Sequence, residues 1–171
     1  LINDANCFVL SEATDGAGAG ADMVFGVIAG TGVGGGVAVH GKVLEGSHLL
    51  AGEWGHNPLP WPRQDEYPGA TCYCGKSGCI ETYLSGPALV RDFRHRTAQQ
   101  CSVQQIASAA AVSDKEARNC LGAFEDRLAR SLASVINLLD PDVIVLAGGL
   151  SNIADLYTVL PRLIATYGFT D

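Results

Sequence analysis

The chain has 171 residues, 47% of them hydrophobic, with 18 acidic against 11 basic side chains and a formal net charge of −7. That length and apolar content can bury a core without covalent staples, which excludes a disordered chain or a disulfide-dependent mini-protein. The acidic balance, with Lys and Arg scattered rather than clustered, excludes a surface that tracks a phosphate backbone.

No apolar run approaches the ~20 residues that a membrane-spanning helix needs. Leu1-Ile2-Asn3-Asp4 carries no basic n-region or cleavage pattern. The chain therefore reads as a soluble, cytoplasmic protein with neither nucleic acid nor membrane as partner. Its six cysteines read as reduced thiols, with Cys7, Cys101 and Cys120 as small buried hydrophobes.

In chain order, Asn3 or Asp4 can cap a helix over Ala5 to Ala13, which ends before the glycine-rich connection at Asp15 to Gly20. Met23 to Ala29 is a compact apolar run and predicts a strand. A turn at Gly30 to Gly34 leads to a hairpin, Gly35 to Val39 and Lys42 to Leu44, reversing at His40-Gly41. Residues 45 to 86 lack periodicity and are heavy in Gly, Pro and aromatics, so they predict a long ordered loop region that something must clamp. Ser102 with Gln105 and Ser113 with Glu116 have capping-box spacing, which starts helices near Val103 and Asp114.

The second of these is the main helix. Ala117, Cys120, Leu121, Phe124, Leu128, Leu132, Val135, Ile136 and Leu139 recur at three- and four-residue spacing and give it one broad apolar face. Asp140-Pro141-Asp142 stops it. Val143 to Ala147 then has the continuous apolar character of a doubly covered central strand. Gly148-Gly149 turns into a last helix capped at Ser151 or Asn152. The order of strand, hairpin, long helix, strand and helix defines an α/β fold class, and no internal repeat is visible.

Three constellations carry chemistry. Cys72-Tyr73-Cys74-Gly75-Lys76-Ser77-Gly78-Cys79-Ile80-Glu81 packs three thiols into eight residues with glycines at the bends, and reads as a structural Zn²⁺ site. Tetrahedral zinc needs a fourth ligand, and His56 is the nearest upstream candidate. Gly30-Thr31-Gly32-Val33-Gly34-Gly35-Gly36 follows a strand, where glycines let backbone N–H groups approach an anion while Thr31 adds a hydroxyl. Taken alone it is equally a tight turn, since it matches neither the P-loop nor the dinucleotide fingerprint. Asp4 places a carboxylate at a helix N-terminus, either as a plain cap or as a group that accepts a proton from a hydroxyl.

Asn3-Asp4-Ala5-Asn6, Gly30-Thr31-Gly32-Val33-Gly34, Gly52-Glu53-Trp54-Gly55-His56, the thiol run with Glu81, and Asp140 to Asn152 occur in this order in the ROK family of sugar kinases, repressors and open reading frames. The chain resembles that family over nearly its whole length. Ala51 to Trp61 and Cys72 to Tyr83 are especially similar to the bacterial fructokinase or manno(fructo)kinase branch. The resemblance implies an actin-like ATPase (ribonuclease H-like) sugar-kinase lobe with a zinc-clamped loop insertion at residues 56 to 81.

Carried over by position, the resemblance makes Asp4 the general base and gives Asn3, Glu53, His56 and Glu81 to the sugar. His56 would also hold the structural Zn²⁺ through its other ring nitrogen, beside Cys72, Cys74 and Cys79. Gly30, Thr31, Gly32 and Gly34 match a phosphate loop, and Gly148 and Gly149 match the turn beside the adenosine. The implied activity is ATP-dependent phosphorylation of a hexose at its 6-hydroxyl, with Mg²⁺ accompanying ATP, fructose favoured as substrate and a homodimer as the assembly. Mannose, glucose or an N-acetylhexosamine are the alternative substrates. The sugar-sensing domain of a ROK transcriptional repressor is the alternative function, and a purely structural zinc module leaves Asp4 and the glycine loop unused. Family kinases carry a D-x-G-x-T lobe before the Asn-Asp-Ala-Asn segment and further strands after the last helix. Residues 1–171 are thus expected to form the larger C-terminal lobe, inactive by itself, with Ala147 standing where a third glycine is frequent.

Overall fold

Helix α1 (Asp4–Asp15) begins at Asn3, whose side-chain oxygen accepts the Asn6 N–H at 2.8 Å and so satisfies a free donor of the first turn. In the computed structural model, which describes residues 3–169, α1 lies across a four-stranded sheet. The outermost positions of the lobe expected over residues 1–171 lie outside the described residues. Strands β1 (Met23–Ala29), β2 (Val33–Val39), β3 (Lys42–Val43) and β4 (Val143–Ala147) are arranged β3-β2-β1-β4. β1 is antiparallel to β2 and parallel to β4, so the 25-residue helix α5 (Lys115–Leu139) is part of the crossover back to the sheet.

Strand alternation separates two cores. Phe25, Val27 and Ala29 face the larger one, with Leu121, Phe124, Leu128 and Leu132 of α5, while Val24 faces the smaller one, with Val9 and Ala13 of α1. Beneath α1 the sheet presents glycines. A Cβ at Gly36 would stand 2.8 Å from Val9 Cγ1 and 2.9 Å from the Ala5 carbonyl oxygen, and one at Gly26 would meet Val9 Cβ at 3.0 Å. The helix can therefore approach closely enough to fix where its first turn, with Asn3 and Asp4, stands over β2.

The described residues depart from the sequence expectations at several ends. β2 begins at Val33, because the Gly30 N–H closes a tight turn onto the Gly32 carbonyl at 2.9 Å and leaves Gly34 paired with Ile28. β4 pairs with β1 among the described residues and is half-buried throughout; Ile144 and Leu146 pack on the larger core, with Leu156 and Leu160 of α6 (Leu156–Tyr167), and Val145 packs on the smaller one. The cap of α5 is Asp114, accepting from Ala117 N–H at 2.8 Å, because Ser113 has a left-handed backbone (φ 75°). A 3-10 turn, Gly149–Asn152, precedes α6, and Ser151 donates to the Gly148 carbonyl instead of capping that helix.

The expected loop region is shorter than 45 to 86, because α2 (Glu81–Leu84) and α3 (Gly86–Thr97) follow the thiol run directly. Ser85 caps α3 and Pro87 occupies its first turn. α4 (Val103–Ala111) starts with the reciprocal bonds expected for Ser102 and Gln105. Of the three lone thiols only Cys120 is fully buried; Cys7 is exposed and Cys101 half-buried. No helix of the described residues is long and apolar enough to cross a membrane.

Two glycines test the seating of α1. Gly36→Ala should lower the unfolding free energy by about 1–3 kcal/mol through overpacking. Gly122→Ala, in α5 with nothing within 4 Å of the added carbon, should raise it by about 0.5–1 kcal/mol. Urea denaturation of the two variants measures both.

Candidate functional site

The parallel strands β1 and β4 end side by side at Ala29 and Ala147, and the turns beyond them line one cavity of about 330 Å³. Its walls are Gly30, Thr31, Gly86, Pro87, Val103, Gln104, Gly149 and Leu150. Ligand sites in α/β sheets collect at this carboxyl edge. Gly148 backs the cavity in a left-handed conformation (φ 87°), and a Cβ there would meet the Ala29 carbonyl oxygen at 2.3 Å. The structure thus brings together Gly30, Thr31 and Gly149 as expected. Gly34 departs from the expectation: it lies within β2, and its carbonyl accepts the Trp54 indole N–H at 2.9 Å. The walls from α3 and α4 were not anticipated, because α3 itself was hidden behind Ser85-Gly86-Pro87.

The thiol run folds as a knot. A 3-10 turn, Trp54–His56, is pinned to β2 by the Trp54 indole, and isolated bridges at Pro58–Cys79 and Thr71–Ser77 close the loop onto itself. One donor atom each from His56, Cys72, Cys74 and Cys79 lies within 4.8 Å of all the others. His56 Nδ1 is 3.5 Å from Cys72 Sγ and Cys74 Sγ is 3.6 Å from Cys79 Sγ. Ligand atoms around a tetrahedral Zn²⁺ stand about 3.5–3.8 Å apart, so the donor set and its spacing fit that ion. Burial, followed by hydrogen bonds from Cys74 and Cys72, pushes the Cys79 thiol up to about 12, whereas the Lys76 N–H draws that of Cys74 down. A thiol so reluctant to ionise becomes a ligand when a cation stabilises its thiolate.

Beside the knot the polar candidates converge on the start of β2. Asn3 donates from Nδ2 to Glu53 Oε1 at 3.3 Å, which joins the first turn of α1 to the segment before Trp54. Asp4 is exposed, with one oxygen accepting from Ala5 N–H at 2.9 Å and no partner for the other among the described residues. Glu81, the first residue of α2, accepts the Val33 N–H at 3.0 Å, and a Cβ at Gly32 would come within 2.6 Å of the same oxygen. Glu81 therefore ties the knot to the glycine turn as well as offering a carboxylate. His56 differs from the expectation: its Nε2 is not open to the cleft but bonds the Tyr73 hydroxyl at 2.8 Å.

A second anchor had no signal in the sequence. Glu66 is 5% exposed and Arg130 1% exposed, and the Arg130 guanidinium grips both carboxylate oxygens at 2.7 and 2.9 Å while Arg127 donates at 2.8 Å. Arg130 also donates to the carbonyls of Pro60 and Trp61. The Tyr83 hydroxyl donates to the Glu66 carbonyl, and the Arg127 guanidinium lies 5.4 Å from the Tyr83 ring centre. α5 thereby holds both the loop and α2, which carries Glu81. Burial pushes the Glu66 carboxyl up, but hydrogen bonds from Arg130, the Arg63 N–H and Arg127 outweigh it and hold the group at about 2.

Comparison with known proteins adds the following. The model of the ROK family matches residues 1–170. An N-acetyl-D-glucosamine kinase of Pectobacterium carotovorum is 40% identical over 165 residues, which cover 94% of this chain and 54% of the relative. The crystal structure of a ROK family glucokinase from Streptomyces griseus in complex with glucose and AMPPNP is 29% identical, with a TM-score of 0.82 over 98% of this chain and 56% of that one. A ROK family transcriptional regulator, a homolog of the Escherichia coli MLC protein, is also 29% identical, with a TM-score of 0.81 over 98% of this chain and 44% of that one. The chain spans about half the length of the curated relatives it matches.

Removing the charge of Glu66 leaves two guanidinium groups facing a neutral amide. Glu66→Gln should destabilise the fold by about 3 kcal/mol or more at neutral pH. Because the folded carboxyl sits near 2 against an ordinary 4.5, its stabilisation is complete above about pH 4.5 and is lost as the pH falls toward 2. Urea midpoints of the two proteins should converge over that window, and a constant difference down to pH 2 contradicts the assignment.

Proposed function

The chain belongs to the ROK family, and we propose that within it the protein is the larger lobe of an ATP-dependent hexose kinase. The observation that carries this reading is an exposed carboxylate, Asp4, in the first turn of α1, whose next residue, Ala5, stands 3.7 Å from where a Cβ at Gly34 of β2 would be. That strand leaves the glycine turn lining the cavity, and Asn3–Glu53 and Glu81 stand around its start. Phosphoryl transfer asks little covalent chemistry of a protein; it needs a positioned hydroxyl, a proton acceptor and groups that bear the phosphate charge. Asp4 takes the proton of the attacking 6-hydroxyl. Asn3, Glu53, His56 and Glu81 pair the remaining sugar hydroxyls in a directional pattern.

The backbone of Gly30, Thr31 and Gly32 meets the phosphates, and Gly148 and Gly149 pass beside the adenosine. Mg²⁺ entering with ATP neutralises phosphate charge. In this reading the knot of His56, Cys72, Cys74 and Cys79 holds a structural Zn²⁺ that keeps the segment from 56 to 81 in shape, and the lobe forms the contact of a homodimer. Fructose, favoured by the stretches Ala51 to Trp61 and Cys72 to Tyr83, receives no support from the relatives, which are N-acetyl-D-glucosamine kinases. The substrate class is therefore a hexose or N-acetylhexosamine.

The likeness to a transcriptional regulator supports a second reading, a sugar-sensing domain. A sensor has no use for a proton acceptor or a phosphate cradle, which places it second.

The full-length protein with ATP and a panel of N-acetylglucosamine, N-acetylmannosamine, glucose, mannose and fructose should release ADP with at least one sugar. Asp4→Asn should lower that turnover about 10²- to 10⁴-fold while sugar binding persists. Near-normal turnover of the variant removes Asp4 as the base, and absence of turnover with every sugar, despite binding, favours the sensor.

A further inference from the structure

Of the side chains around the knot, Tyr73 is the one that neither the packing nor a metal accounts for. It lies between two cysteine ligand candidates and is 82% exposed. Its hydroxyl is 2.8 Å from His56 Nε2, and the two rings meet edge to face with centroids 4.9 Å apart. The other ring nitrogen, Nδ1, faces the thiols, 3.5 Å from Cys72 Sγ.

The tautomer follows from this arrangement. With Nδ1 turned to the metal site, Nε2 carries the hydrogen and is a single, directional donor. One N–H cannot serve both the tyrosine oxygen and a sugar oxygen at full strength. We propose that Tyr73 is a stand-in for the sugar at His56: its hydroxyl holds the Nε2–H in place in the empty site, and a sugar hydroxyl must displace it to bind.

The inference rests on the reading of His56 as a sugar-binding residue, and it turns Tyr73 into a competitor that sets sugar affinity. Because the ring is otherwise in solvent, swinging it aside gives up only its edge-to-face contact with His56 and one hydrogen bond. A sugar with a hydroxyl at this position replaces that bond; an analogue lacking the hydroxyl does not, and leaves Tyr73 where it is. Tyr73 thus lowers affinity for every sugar that uses His56 by the worth of one neutral hydrogen bond. In return it keeps the imidazole aimed, as a hydrogen-bonded second group does for a metal-bound histidine.

The test is calorimetric titration of the full-length protein, without ATP, using the hexose panel and the singly deoxygenated analogues of the sugar that binds. Tyr73→Phe keeps the ring and removes only the oxygen. Its sugar Kd should fall about three- to tenfold relative to the unaltered protein. One deoxy analogue, the one lacking the hydroxyl that takes Nε2–H, should bind both proteins equally. An unchanged or weaker Kd for the parent sugar in Tyr73→Phe overturns the proposal and leaves the hexose reading intact. Failure of the unaltered protein to bind any hexose overturns the hexose reading first, and Tyr73's role with it.

Discussion

The buried carboxylate of Glu66 is what the polar cleft depends on most. The segment from 45 to 80 has almost no regular structure, so its position cannot come from helix or sheet hydrogen bonds. It comes from the two guanidinium groups of Arg127 and Arg130, which project from one side of α5 and enclose a single carboxylate. Burying three charges is costly unless every donor finds an acceptor. Here Arg130 also takes the Pro60 and Trp61 carbonyls, and Arg127 takes Asp92 of α3, so that condition is met across the loop, α3 and α5. The Tyr83 hydroxyl on the Glu66 carbonyl carries the same constraint into α2.

From that inner anchor the chain runs outward to the knot, which is the other anchor and the more exposed one. The two meet at α2. Glu81 leaves the knot and binds the Val33 N–H, so the thiol loop, the glycine turn and the start of β2 share one hydrogen bond. On the opposite side of β2, the glycine seat beneath α1 brings Asn3 and Asp4 to the same place. A polar cluster and a cavity at the carboxyl edge of the sheet then sit on two ends of one short turn, Gly30 to Gly32. That proximity is the geometry a transfer reaction between two bound molecules requires.

How much of this was legible follows from the range of each interaction. The apolar face of α5, the β1 run and the capping box at Ser102 are written in neighbouring residues, and the elements appear where those residues put them. The knot was legible for the same reason: three of its four donors lie within eight residues. Glu66, Arg127 and Arg130 were not, since a buried pair separated by more than 60 residues looks in sequence like three solvated side chains. His56 was named as a ligand from its spacing, but that its second nitrogen is held by Tyr73 depends on the fold of the knot and on no local pattern.

In the proposed reading the knot is a metal-held scaffold that aims His56 and Glu81 at a sugar. The most direct measurement is hexose affinity of the full-length protein before and after chelation, with metal content assayed and folding checked by circular dichroism. The expected result is one zinc per chain and a loss of about tenfold or more in sugar affinity on its removal, restored by added Zn²⁺. Unchanged affinity in a folded, metal-free protein would contradict it.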